Sequence, residues 1–150
     1  MTDFEYQIRV GKLEDALKIW QIRNSFLSRQ NSNEQQEIRI QNHRFWFKNK
    51  YFTGKKNKLL VITVNSGVVG YLRFDLNKDT YVIAIALDPD YRGQGLGFAL
   101  LKEGLMQADT SIPLNAQIKK NNLPSIKLFQ KCGFKILNED VENYYLKYEK

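Results

Sequence analysis

Residues 88–97 read DPDYRGQGLG and set three glycines, Gly93, Gly95 and Gly97, at alternate positions directly after Arg92. An apolar run, YVIAIAL (81–87), precedes them, and FALLKEGLMQA, with helical periodicity, follows. Glycine at a helix start costs backbone entropy and lowers helix propensity, so the loop must need something glycine alone provides. A strand that becomes a helix through glycines bares amide N–H groups at the helix N-terminus, where partial positive charge favours an anion. Without a Cβ, phosphate oxygens can come close to those amides. Three such positions suit a diphosphate; a plain strand-to-helix turn, which needs one or two glycines, is the simpler alternative. Spacing excludes three known phosphate loops. Phe98 stands where a dinucleotide fingerprint needs its third glycine, no Gly-Lys-Ser/Thr follows, and a helix rather than a second strand comes next.

His43, within NHRFWF, is the single histidine, and its ordinary titration range suits proton transfer at neutral pH. Its plainer reading is a residue that packs one helix on another. Cys132 is the single cysteine, so the chain forms no internal disulfide; it reads as a small core residue in a protein of a reducing compartment. The net charge of +7 favours an anionic partner, or serves only as a solubilising surface. The lysines are scattered, with neither an RNA-binding aromatic motif nor a helix-turn-helix pattern, which argues against nucleic acid. MTDFEYQIRV lacks the plan of a signal peptide and no apolar run reaches bilayer length, so the expectation is a cytoplasmic protein without a membrane partner.

The elements that must position these residues follow from periodicity. YQIRV (6–10) alternates as a strand, and Leu13, Ala16, Leu17, Trp20 and Phe26 or Leu27 mark an amphipathic helix. SRQNSNEQQ (28–36) reads as a loop, and EIRIQNHRFWFKNKY as a second helix. LLVITV, NSG and VVGYLRFD predict a β-hairpin, and TYVIAIAL a central strand covered on both faces. A helix to about Ala108, a strand at 113–119, a short helix with Pro124 in its first turn and Gly133 at its end, and a strand at 144–148 complete the chain. No repeat or linker divides residues 1–150, which form a single α/β domain with a mixed sheet.

The Arg92-x-x-Gly95-x-Gly97 spacing, in its strand–loop–helix setting, resembles the GNAT superfamily of acetyl-CoA-dependent N-acetyltransferases. A second segment agrees: NLPSIKLFQKCGF is similar to that family's helix, with Asn122, Ser125, Phe129, Gly133 and Phe134 in place. The resemblance implies a splayed, mixed sheet of about seven strands flanked by about four helices, with acetyl-CoA between the strands at 81–87 and 113–119. It implies that backbone groups of Ile85, Ala86 and Leu87 bond the pantetheine arm and that an N–H near Leu87 serves the oxyanion. The amides of Arg92, Gly93, Gln94, Gly95, Leu96 and Gly97 hold the pyrophosphate on this reading, Ser125 joins the cofactor set, and Asn122 contacts the cofactor or caps its helix. The resemblance also implies direct transfer without a metal. Where the family often carries a proton-donating tyrosine, this chain has Phe129; water, Tyr144, Tyr145 or no acid at all remain. His43 lies in the region bordering the acceptor pocket and is the candidate base.

For the acceptor, IRNSFLSRQNS…IRIQNHRFWF is similar to acetyltransferases acting on amino-deoxy nucleotide sugars, of the pseudaminic-acid pathway type, with an R-N…R…H-x-x-W-F arrangement. The resemblance implies that Arg23 or Arg29 pairs with a nucleoside diphosphate and that Trp46 or Phe47 gives an apolar wall, with His43 lining the same pocket. At least one of that adjacent aromatic pair belongs to the core. A protein N-terminus, a polyamine or another small amine is the alternative acceptor, and an acetyl-CoA-binding domain without activity the alternative class; a homodimer stays open.

Overall fold

The computed structural model describes residues 5–32, 36–53, 56–109 and 111–149. The first alternating segment is β1 (Tyr6–Val10), followed by a single 3-10 turn, Leu13–Asp15, and helix α1 (Ala16–Arg23). Asp15 fixes this entry. Its carboxylate accepts from both terminal nitrogens of Arg9, at 2.8 and 2.9 Å, and from the Lys12 amide at 2.7 Å. Burial opposes its ionisation, but the Arg9 guanidinium and the Lys12 amide outweigh that and hold the carboxyl below its usual range.

The periodicity that predicts one helix to Leu27 is broken at Ser25, whose backbone is extended and whose Oγ accepts from the Ser28 amide. A new short helix, α2 (Phe26–Gln30), starts there, so the described residues hold five α-helices where about four were expected, and Ser28–Gln30 are helical rather than loop. Residues 33–35 of the expected loop lie outside the described residues. Ile38 is drawn out of the second predicted helix: its amide donates to Asn24 Oδ1 at 2.8 Å and its carbonyl accepts from Trp20 Nε1 at 2.7 Å. Helix α3 therefore spans Ile40–Tyr51.

Strands β2 (Lys58–Val64), β3 (Gly67–Asn77) and β4 (Thr80–Leu87) form an antiparallel meander. After them come α4 (Leu96–Gln107), β5 (Leu114–Lys119), α5 (Leu123–Lys131), β6 (Phe134–Glu139) and β7 (Asn143–Tyr148). The sheet runs β1-β2-β3-β4-β5-β7-β6, and β4–β5 is its parallel step. That step pairs only Tyr81 with Leu114 and Val82 with Asn115; beyond Val82 the two strands part. The sheet is splayed there, as expected.

Helices α4 and α5 cover one face, where Leu72, Ile83, Leu96, Leu100, Leu101 and Phe129 bury almost completely. Helices α1 and α3 cover the other, over Leu59, Val61 and Tyr71. Each fully buried aliphatic or aromatic side chain contributes about 1.5–3 kcal/mol. Gly104 lets α4 lie close to the sheet, since a Cβ there would stand 2.3 Å from Leu72 Cδ2. Both faces are thus held rigid around the opening between β4 and β5.

Candidate active site

Two hydrogen bonds fix which way the backbone of β4 faces. The Tyr81 amide donates to Pro113 O, across the β5 side, and the Asp88 amide donates to Val69 O, across the β3 side. Peptide groups alternate along a strand, so Ile83, Ile85 and Leu87 turn their N–H and C=O into the opening. Ala86 turns the other way, opposite Tyr71 of β3. This corrects one expectation: of the three predicted backbone contacts, Ile85 and Leu87 face the opening and Ala86 is committed to the sheet. What remains is a half-paired strand edge, a template for an extended ligand with amides of its own.

At the end of this edge stands the glycine turn. Asp88 Oδ1 accepts from the Asp90 amide, and a tight turn over Pro89–Tyr91 leads to Arg92. Gly93 and Gly95 have φ of +74° and +86°, a region that side-chain-bearing residues disfavour. The first ladder bond of α4 runs from the Ala99 amide to Gly95 O, so the amides of Leu96, Gly97 and Phe98 lie ahead of the ladder at the positive end of the helix. A Cβ on Gly97 would meet Leu128 of α5 and Leu87 of β4 at 3.4 and 3.5 Å, so the helix start, α5 and the strand end converge. Ser125 lies about one turn before Leu128 on α5. Asn122 caps α5, its Oδ1 accepting from the Ser125 amide at 3.4 Å. Arg92 is partly buried; burial lowers its pKa, and its Nε has no hydrogen-bond partner among the described residues. The helix-start amides, the Arg92 Nε–H and a positive helix end together fit a diphosphate.

The α1/α3 face of the opening is cationic. Arg23 lies over the Trp46 ring, its Cζ 3.9 Å from the centroid, with Arg73 at 5.3 Å and Lys50 at 5.6 Å from the same ring. Asp75 is the carboxylate among them. It accepts from Tyr51 OH at 2.5 Å and pairs with Lys50 at 3.1 Å and Arg73 at 3.3 Å. Burial, and the neighbouring Arg73 charge, push the Arg23 pKa down. Phe47 is the core member of the aromatic pair, fully buried, whereas Trp46 is half-buried and has one face covered by Arg23. Arg29 stays at the α1–α2 junction, its Nε donating to Asn24 O at 3.2 Å.

His43 is 0% exposed, and both ring nitrogens are engaged: Nε2 with Ala16 O at 2.9 Å and Nδ1 with Arg23 Nη1 at 3.2 Å. The carbonyl accepts, so Nε2 carries the proton and Nδ1 accepts from the guanidinium. Burial first, then the Arg23 charge, lowers its pKa to about 4. This corrects the expectation of a general base. His43 joins α1 to α3 and holds Arg23 in place; no lone pair is left for an acceptor amine.

Phe129 is 2% exposed and packs edge-on to Phe134 at 5.0 Å, so this position supplies core packing and no proton donor. Tyr145 donates to Asp140 at 2.6 Å on the surface, and Tyr144 packs partly buried against the core below Lys120. Burial pushes the Cys132 thiol up, which disfavours the thiolate. The residue that sequence reading passed over is Arg73. Its signal was available: an Arg-x-Asp pair, Arg73 and Asp75, inside a strand otherwise apolar enough to be buried.

Comparison with known proteins agrees with this geometry. The family described as acetyltransferase (GNAT) matches the chain over residues 16–134. An N-alpha-acetyltransferase of Sulfurisphaera tokodaii is 26% identical over 147 residues, covering 87% of this chain and 81% of its own. The structure of a phosphinothricin acetyltransferase from Sinorhizobium meliloti with acetyl-CoA superposes with a TM-score of 0.80 at 20% identity, over 98% of this chain and 88% of that one. A spermidine N-acetyltransferase from Vibrio cholerae, in complex with CoA and spermine, has a TM-score of 0.80 at 14% identity, over 95% and 94%. At such identities the two structures share the fold. No described helix is long and apolar enough to cross a membrane.

Proposed function

The chain belongs to the acetyltransferase (GNAT) family and is an acetyl-CoA-dependent N-acetyltransferase; on that premise we propose that its acceptor is the primary amine of an anionic small molecule, a nucleotide-linked amino-deoxy sugar. The observation that carries this reading is the surplus of cations around Trp46, where Arg23, Arg73 and Lys50 face one carboxylate, Asp75. An anion on the acceptor is attracted there, and a polyamine is repelled. The R-N…R…H-x-x-W-F resemblance supports the nucleotide-sugar form of it.

In the proposed mechanism, bound acetyl-CoA supplies the acetyl thioester. The amides of Leu96 and Gly97 and the Arg92 guanidinium hold the diphosphate, with Gly93, Gln94 and Gly95 shaping the turn. Ile85 and Leu87 align the pantetheine arm through their inward-facing peptide groups, and Asn122 and Ser125 close the α5 side. One of the inward N–H groups donates to the thioester oxygen, on which negative charge builds as the amine adds. Ala84 and Ala86 keep the α1/α3 face low so that the amine can approach. Since Phe129 cannot donate and His43 is engaged, the amine loses its proton to water and the thiol leaves as thiolate, a tolerable leaving group given a thiol pKa of about 8.5.

Equal concentrations of a UDP-linked 4-amino-4,6-dideoxyhexose, the free amino sugar, spermidine and a peptide with a free N-terminus separate the possibilities. The nucleotide sugar is expected to have the highest kcat/KM, because the remote anion provides binding energy that can be used in the transition state. Equal or better turnover of the peptide or of spermidine overturns the acceptor assignment.

A further inference from the structure

We infer that Arg73 is the acceptor's anion receptor, a specificity-determining residue that binds a carboxylate or phosphate oxygen of the acceptor while the amine enters the opening beside Ala84. The inference rests on the reading that the acceptor approaches from the α1/α3 face. It adds the residue and the chemistry that select it.

Position comes first. Arg73 stands opposite Ala84 in the β3–β4 register, and opposed residues project to the same face. Ile83 and Ile85, on either side of Ala84, are the residues whose peptide groups turn into the opening. The Arg73 backbone is therefore one strand spacing, about 4.8 Å, from the reactive edge. Ala84 and Ala86 carry only methyl groups on that face, and Ala86 packs against the α1/α3 core.

Second, Arg73 is held by Asp75 and by the Tyr51 hydroxyl, yet one of its donors stays unused. Asp75 is already held by Tyr51 OH at 2.5 Å and Lys50 at 3.1 Å, closer than the 3.3 Å to Arg73 Nη1. The Nε of Arg73 is covered yet has no hydrogen-bond partner among the described residues, while the side chain keeps 23% of its surface exposed. An unsatisfied buried donor costs stability, so this arrangement is not explained by folding alone. Third, a second guanidinium is fixed nearby. Arg23 is oriented by His43 Nδ1 and by the Trp46 face, and Arg73 approaches the same ring. Two like charges on one partly buried ring repel, and an oxyanion between them removes the repulsion. Planar guanidinium forks match carboxylate and phosphate geometry.

The test is steady-state kinetics of the wild type, Arg73→Met and Arg73→Lys on paired acceptors. One pair is L-leucine and L-leucinamide, which differ in a carboxylate; the other is the UDP-linked amino sugar and the free amino sugar, which differ in phosphates. The wild type is expected to favour the charged member of at least one pair, and that pair identifies the oxyanion. Arg73→Met should cut kcat/KM for that member at least about 10-fold and for its neutral counterpart less than twofold. Arg73→Lys should recover part of the loss, and the Kd for acetyl-CoA should stay unchanged in both variants. Lys50 and Tyr51 still hold Asp75 in these variants, so thermal unfolding should remain near wild type; if Arg73→Met fails to fold, the Arg73→Lys comparison carries the test. A wild type without any preference for charged members removes the anionic-acceptor reading as well. A wild-type preference that survives Arg73→Met undiminished, or an equal loss on both members, overturns this inference and leaves that reading standing.

Discussion

His43 is the chain's one histidine, and the folded protein keeps it neutral between Ala16 O and the Arg23 guanidinium. Its pKa falls from 6.5 to about 4 on folding. The sign follows directly. Between those values the unfolded chain binds a proton that the folded one does not, so stability is present above about pH 6.5 and is lost as pH falls toward 4. A shift of this size corresponds to about 3 kcal/mol over the full window, of which about 2 kcal/mol is lost between pH 7 and pH 5. The Asp15 carboxyl, held below its ordinary 3.8, titrates under this window and does not compete with it. Urea unfolding at the two pH values measures the effect; with a slope of about 2 kcal/mol/M, the midpoint should drop by about 1 M. His43→Gln keeps an N–H for Ala16 O and an oxygen for Arg23 but cannot titrate, so most of the pH-dependent loss should vanish. Its kcat/KM at pH 7 should remain within about threefold of wild type, since no proton passes through this side chain. A wild-type midpoint that does not move, or the same movement in His43→Gln, refutes the burial argument. A drop in rate of about 100-fold or more, with normal stability and normal acetyl-CoA affinity, would restore His43 as the general base.

Two further outcomes test the frame around the site. Gly95→Glu places a charged side chain where φ is +86°, at the helix N-terminus proposed to hold the diphosphate; calorimetry should show acetyl-CoA affinity down at least about 100-fold with the circular dichroism spectrum intact, and undiminished binding in a folded variant would remove the phosphate-site assignment. Gly104→Val forces branched atoms toward Leu72 and Phe74, where even a Cβ would stand 2.3 and 3.2 Å away; thermal or urea unfolding should show a loss of about 1–3 kcal/mol, and a neutral result would mean that α4 is not seated tightly on β3.

How much of this could be read from residues alone depends on the range of the interaction that decides each feature. The strand–glycine–helix step was legible because alternation, helical periodicity and glycine placement are all local. The helix break at Ser25 is not legible in the same way, because a cap wins over periodicity only once the backbone has turned. Strand β6 gave no signal, since Phe134 is its one buried residue and FKILNE shows no alternation of burial. His43 and Arg73 were the harder cases. A histidine on an amphipathic helix can face solvent, a pocket or another helix, and Ala16 O, 27 residues away, decides the matter. Arg73 acquires its meaning from the β3–β4 register, which places it opposite Ala84, and from Tyr51 and Lys50 on a helix that the sequence does not align with it.

The glycines that first pointed to a phosphate site each have a conformational reason. Gly93 and Gly95 sit at positive φ, and Gly97 has Leu87 and Leu128 against it. These reasons do not compete with the ligand reading. A turn that aims successive amides at one point alternates the sign of φ, and that same alternation is what side chains resist. Gly93 makes the point most directly. A Cβ there would meet nothing within 4 Å, so packing does not demand glycine, and only the backbone angle does. The conformational requirement at Gly93 and Gly95 is thus the means by which the chain bares Leu96 and Gly97 N–H beside the Arg92 guanidinium, at the end of a strand edge that Ile85 and Leu87 leave open.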